Sequence, residues 1–157
     1  MRAEATAVLE PLWQAVLAPE RLAAANGATC ELPAALESVR DARRFTRATL
    51  QRWDLGALRD SVELVASELV TNALRYAVPV GAPGAPVGLS LVRWTSRVVC
   101  AVRDPSAIAP VTKDPDFVAE TGRGLHLVES FSENWGWHPL SGAGKVVWAL
   151  FLTPGPH

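Results

Sequence analysis

Between residues 34 and 77 apolar side chains recur every three or four positions, and from residue 87 onward they crowd into short runs rich in Val, Leu and Trp. The first spacing belongs to helices with one face on a core, the second to strands. Pro33 opens a helix through ALESVRDARRFTRATLQRWDL, with Leu36, Val39, Phe45 and Leu50 on its apolar side. Gly56 separates it from a second helix, about Leu58–Ala77, whose core-facing stripe is Leu58, Val62, Val65, Leu69, Ala73 and Tyr76. The Gly/Pro run VPVGAPGAP ends that helix.

A short strand around Ala28–Leu32 precedes the helices, and two strands, Val87–Trp94 and Val98–Arg103, follow them across the turn Thr95-Ser96-Arg97. The segment from Pro105 to Thr121 carries Pro105, Pro110 and Pro115, too many for a helix or a central strand, and is long enough to act as a lid. Gly122-Arg123-Gly124 then leads into a short helix, Leu125–Phe131, and the chain closes with strands at Asn134–His138 and Val146–Leu152. Helices early and antiparallel strands late predict an α+β fold, a two-layer α/β sandwich with helices on one face of a mixed, mostly antiparallel sheet.

Residues 3–25 are Ala-rich and helix-prone, interrupted by Pro11 and Pro19, and Asn26-Gly27 breaks the chain after them. The expected division is a helical extension at 1–27, packed on or beside a domain at 28–157. With 157 residues, 49% of them hydrophobic, the chain can bury a core without disulfides or a structural metal. A net charge of -1 gives no basic face for nucleic acid. Cys30 and Cys100 sit in apolar, strand-like runs and read as buried thiols of a reducing compartment, and no Cys/His spacing suggests zinc. Glu4 and Glu10 interrupt the N-terminus and no basic stretch precedes them, unlike a signal peptide. No apolar run reaches the roughly 18 residues of a membrane helix. The expectation is a cytoplasmic protein with no membrane or direct nucleic-acid partner.

Three features carry candidate chemistry. Glu68 and Asn72 lie one turn apart, about 40° from each other on the helix wheel, at the edge of the apolar stripe. There they can jointly face a pocket, although a solvated Glu beside a surface amide is the commoner arrangement. Asp104 ends a strand and feeds a loop; its carboxylate can accept from an exocyclic amine such as that of adenine, or cap the Pro105-Ser106 turn. Gly122 and Gly124 allow close backbone approach at a helix start, where free amides and the dipole favour phosphate. Arg123 between them can meet a γ-phosphate or face solvent. His126 reads as a packing residue, and Trp135, Trp137 and Trp148 as one aromatic cluster.

In order, these pieces form a pattern. SELVTNALRYA, VRDPS, ETGRGLHLVESFSENWGW and GKVVW resemble the boxes of the GHKL ATPase superfamily, with its Bergerat fold. Within it the chain is most similar to bacterial anti-sigma factor serine/threonine kinases and related ATP-binding regulatory proteins, over residues 30 to 152. The resemblance implies an ATP- and Mg²⁺-dependent protein kinase. Asn72 would be the Mg²⁺ ligand, Glu68 the base receiving the proton of the attacking hydroxyl, and Asp104 the reader of the adenine amine. Gly122, Gly124 and the following amides, through Leu125, would hold phosphate. It implies as partners a small antagonist protein of the STAS type, phosphorylated on Ser or Thr, and a sigma factor, and it leaves room for a homodimer. A nucleotide-switched binding module without kinase activity, and an ATP-independent interaction domain, are the rival readings. Two positions depart from the superfamily pattern near the expected adenine site: Ser106 where Gly is usual, and Lys145 where Thr is usual. Lys145 can contact a phosphate, but reads first as a surface residue.

Overall fold

The computed structural model describes residues 26–78, 84–94, 96–106, 108, 110, 119–140 and 144–154, with backbone alone for residues 94 and 119–124. The expected extension at 1–27, apart from its last two residues, and most of the expected lid lie outside the described residues. The described elements are β1 (Gly27–Leu32), α1 (Ser38–Arg52), a 3₁₀ turn (Gly56–Leu58), α2 (Arg59–Asn72) continued by a π turn (Ala73–Ala77), β2 (Val87–Trp94), β3 (Arg97–Asp104), α3 (Ala119–Phe131), β4 (Asn134–Leu140) and β5 (Gly144–Leu152). The strands order as β1-β2-β3-β5-β4. Every neighbouring pair is antiparallel, so the described sheet contains no parallel pair.

Cross-strand register sorts the strand residues by face. Leu91, Cys100, Ala149 and Trp135 lie opposite one another across four strands, as do Leu89, Val102, Val147 and Trp137. This face joins Val62, Val65 and Leu69 of α2 and Leu125 and Val128 of α3 in one buried core. Side chains alternate along a strand, so Trp148 points to the opposite face from Trp135 and Trp137. The single aromatic cluster expected from the sequence does not form. Trp148 instead lies over its cross-strand partner Gly136, where a Cβ would come within 2.7 Å of the indole.

Two helix expectations need correction. The first helix begins at Ser38 rather than beside Pro33, with the Ser38 hydroxyl donating to the Pro33 carbonyl at 2.7 Å. Leu36 precedes it and is exposed. In the second helix Tyr76 leaves the apolar stripe: the π turn adds a residue to the last turn, so Ala77 follows Ala73 into the core and Tyr76 is exposed.

Cys100 is fully buried, and desolvation pushes its thiol pKa up to about 12. Cys30 stands on β1 and Cys100 on β3, with β2 between them. Two strand spacings, about 9–10 Å, exceed the reach of a disulfide, and both thiols are free. Among the described residues no helix is long and apolar enough to cross a membrane.

Candidate functional site

Asp104 is the last residue of β3, and the antiparallel register sets it directly opposite Lys145, the second residue of β5. Both continue the helix-side face, two positions beyond Val102 and two before Val147. Their side chains are 3% and 4% exposed, and Lys145 Nζ donates to Asp104 Oδ1 at 2.9 Å. The same oxygen accepts from the Ser106 amide at 2.9 Å, closing an Asx-type turn, and Nζ also reaches the Ser106 carbonyl at 3.4 Å. Lys145 is therefore not a surface residue. It clasps the end of β3 and the first residues after it.

Gly144 makes the approach possible. Its φ is +85°, and a Cβ there would collide with the Asp104 carbonyl oxygen and Pro105. Only glycine combines that conformation with backbone contact so close. Burial pushes the Asp104 carboxyl above its ordinary value, while the Lys145 ammonium and the Ser106 amide pull it back down. A buried carboxylate stays charged when a cation and hydrogen bonds compensate it; this one has both.

On α2 the two glutamates differ in kind. Glu63 is held by Arg47 at 3.0 Å and Arg59 at 2.9 Å, and the Arg47 hydrogen bond, with that of Arg59, keeps its carboxyl below the usual range. Glu68 is half-buried and makes no side-chain hydrogen bond or ion pair among the described residues, and the same holds for Asn72. The hydroxyls beside them turn back on the helix, Ser67 to the Leu64 carbonyl and Thr71 to the Ser67 carbonyl. Glu68 and Asn72 thus remain as one carboxylate and one amide, one turn apart, with their oxygens uncommitted. Such hard oxygen donors suit Mg²⁺, which keeps several waters and needs few protein ligands. Asn72 closes the regular helix, and the π turn after it packs against β3.

α2 packs on both β3 and α3, so the helix bearing Glu68 and Asn72 adjoins both the strand that ends in Asp104 and the helix that contains the glycines. The glycines themselves are placed differently from the sequence expectation. α3 starts at Ala119, so Gly122, Arg123 and Gly124 lie within the helix rather than ahead of it. A helix leaves about its first four amides unpaired, which puts those of Arg123 and Gly124 inside the ladder. Leu125 is 2% exposed and packs in the core. His126, expected to pack, is exposed. The unpaired amides at this helix start are therefore those of residues 119–122, which include Gly122 but not Arg123 or Gly124.

Residues 32–151 match the histidine kinase-like ATPase domain. The chain belongs to this family. A search of curated proteins finds no match. Membership agrees with the GHKL resemblance and with the α+β sandwich, and it points to adenine-nucleotide use. In this ATPase domain, sequence reasoning missed the Lys145–Asp104–Ser106 clasp. Its signal was present: Lys145 is one of two lysines in an Arg-dominated chain, it follows a glycine, and its strand begins where a neighbouring strand ends in Asp.

Proposed function

We propose that this domain binds ATP with Mg²⁺ and transfers the γ-phosphoryl group to a serine or threonine of a small antagonist protein, as an anti-sigma-type kinase does. The observation that carries the reading is the uncommitted Glu68 and Asn72 pair on α2, beside β3 and α3. Bound Mg²⁺ would neutralise charge on the phosphates. Asn72 would offer its side-chain oxygen to that ion. Glu68 would accept the hydroxyl proton as the serine oxygen bonds to the γ-phosphorus and the bond to the ADP leaving group breaks. Asp104 is the residue assigned to the base, by resemblance.

The decisive experiment incubates the purified protein with labelled ATP, Mg²⁺ and candidate STAS-type antagonists. Labelled antagonist supports the kinase; ATP binding by calorimetry without transfer supports the nucleotide-switched binding module. One observation favours that second reading: the carboxylate assigned to adenine already has an internal partner in Lys145.

A further inference from the structure

A buried carboxylate facing a base edge discriminates sharply. It accepts from the amine of a 6-amino purine and repels the carbonyl oxygen of a 6-oxo purine. In this domain that carboxylate does not stand alone. Asp104 Oδ1 takes both the Lys145 ammonium and the Ser106 amide, whereas Oδ2 has no hydrogen bond among the described residues. An ammonium has three N–H donors, and Lys145 directs one to Asp104 and one to the Ser106 carbonyl, leaving a third. The pair forms the end rung of β3 and β5 on the helix-side face, and Gly144 fixes its position through backbone contact.

We propose that Lys145 is a specificity-determining residue: with Asp104 it presents a donor and an acceptor side by side, so the nucleotide site takes 6-oxo as well as 6-amino purine nucleotides. The inference rests on the nucleotide-binding reading above and narrows it. The ammonium compensates the carboxylate, which weakens its preference for an amine, and the same ammonium offers a purine carbonyl the donor that a lone aspartate lacks. Rejection by a polar site arises when a group is left unpaired or faces like polarity. A donor–acceptor pair avoids that penalty for both classes of base.

The test compares Mg²⁺–ATP and Mg²⁺–GTP binding by calorimetry for the wild type, Lys145→Thr and Lys145→Met, with circular dichroism to verify folding. The expected wild-type dissociation constants for the two nucleotides lie within about tenfold of each other. In both variants the ratio moves toward ATP by about tenfold or more, mainly through loss of GTP. A wild type preferring ATP by more than about a hundredfold, or a ratio unchanged in the folded variants, overturns the proposal while leaving ATP binding intact. No binding of either nucleotide to the wild type overturns the nucleotide reading, and the proposal with it. If the Thr variant does not fold, the Met variant, which keeps an unbranched apolar stem, and the wild-type ratio still decide.

Discussion

Lys145 Nζ lies 2.9 Å from Asp104 Oδ1, and both side chains are almost wholly withdrawn from solvent. Such a pair is weak evidence of net stabilisation, because desolvating two ions offsets most of their attraction. Breaking it is another matter, since the surviving charge stays buried. Asp104→Ala should therefore cost about 3–5 kcal/mol in denaturant unfolding. The double variant Asp104→Asn/Lys145→Met, which buries no charge, should recover a large part of that loss. A double variant as unstable as Asp104→Ala would show that packing, rather than charge, sets the cost.

The pair also has a pH signature. Burial holds the folded-state pKa of Asp104 above its unfolded value, so its contribution is fully present below the unfolded value and lost as pH rises through the folded one. Lys145→Met removes the ammonium that opposes this rise, moving the folded pKa higher still. The stability gap between wild type and Lys145→Met should thus be widest near neutral pH and narrow as pH falls toward about 4, the unfolded-chain value, below which the carboxyl is neutral in the folded and unfolded states alike. Unfolding curves of the two proteins across that range measure the gap. A constant gap would mean that Asp104 does not titrate differently in the variant.

The fold was largely legible because its signals are local. Val62, Val65 and Leu69 repeat at helical steps, and Val98–Val102 is an apolar run between turn signals. What was missed depends on geometry between distant residues. The burial of Lys145 follows from the β3–β5 register, which sets it against Asp104, 41 residues away. Trp148 was grouped with Trp135 and Trp137 in one cluster, which the β4–β5 register rules out by pairing it with Gly136 on the other face. Tyr76 left its stripe through one π turn, which no 3.6-residue periodicity anticipates. In the site, Glu68 and Asn72 were legible as a helical pair, whereas the start of α3 was not. Gly122 and Gly124 are poor helix formers, so a boundary placed after them is the natural reading of composition.

Gly144 is required by its surroundings on two separate grounds. Its φ of +85° is unfavourable for other residues, and a Cβ would strike the Asp104 carbonyl oxygen and Pro105. The collision is with backbone, which cannot swing aside as a side chain does. Gly144→Ala should destabilise the protein by more than the roughly 1 kcal/mol of an unfavourable backbone conformation alone. It should also disturb the Lys145–Asp104 contact, since Lys145 is the next residue. Thermal unfolding gives the first effect, and the Asp104 titration, followed by NMR, gives the second. Wild-type stability in Gly144→Ala would show that the β5 start can relax.

The last prediction separates the two residues that carry the proposed chemistry. Asn72 is assigned to the metal, so Asn72→Ala should abolish the Mg²⁺ dependence of ATP binding and leave the fold intact, its side chain being half exposed at the end of α2. Glu68 is assigned to the attacking hydroxyl, which is absent from a complex with ATP alone. Glu68→Gln keeps the size and helix propensity of the side chain and removes its charge and basicity. It should bind ATP close to normally yet phosphorylate an antagonist protein about 10²–10⁴-fold more slowly. Because Glu68 makes no ion pair among the described residues, unlike Glu63 with Arg47 and Arg59, the change breaks no described contact, and a loss of transfer can be read as chemistry. Calorimetry with Mg²⁺–ATP and single-turnover transfer from labelled ATP measure the two quantities in one preparation. Unchanged transfer in Glu68→Gln would remove Glu68 from the mechanism. Equal losses of binding and transfer would place it at the metal with Asn72 instead.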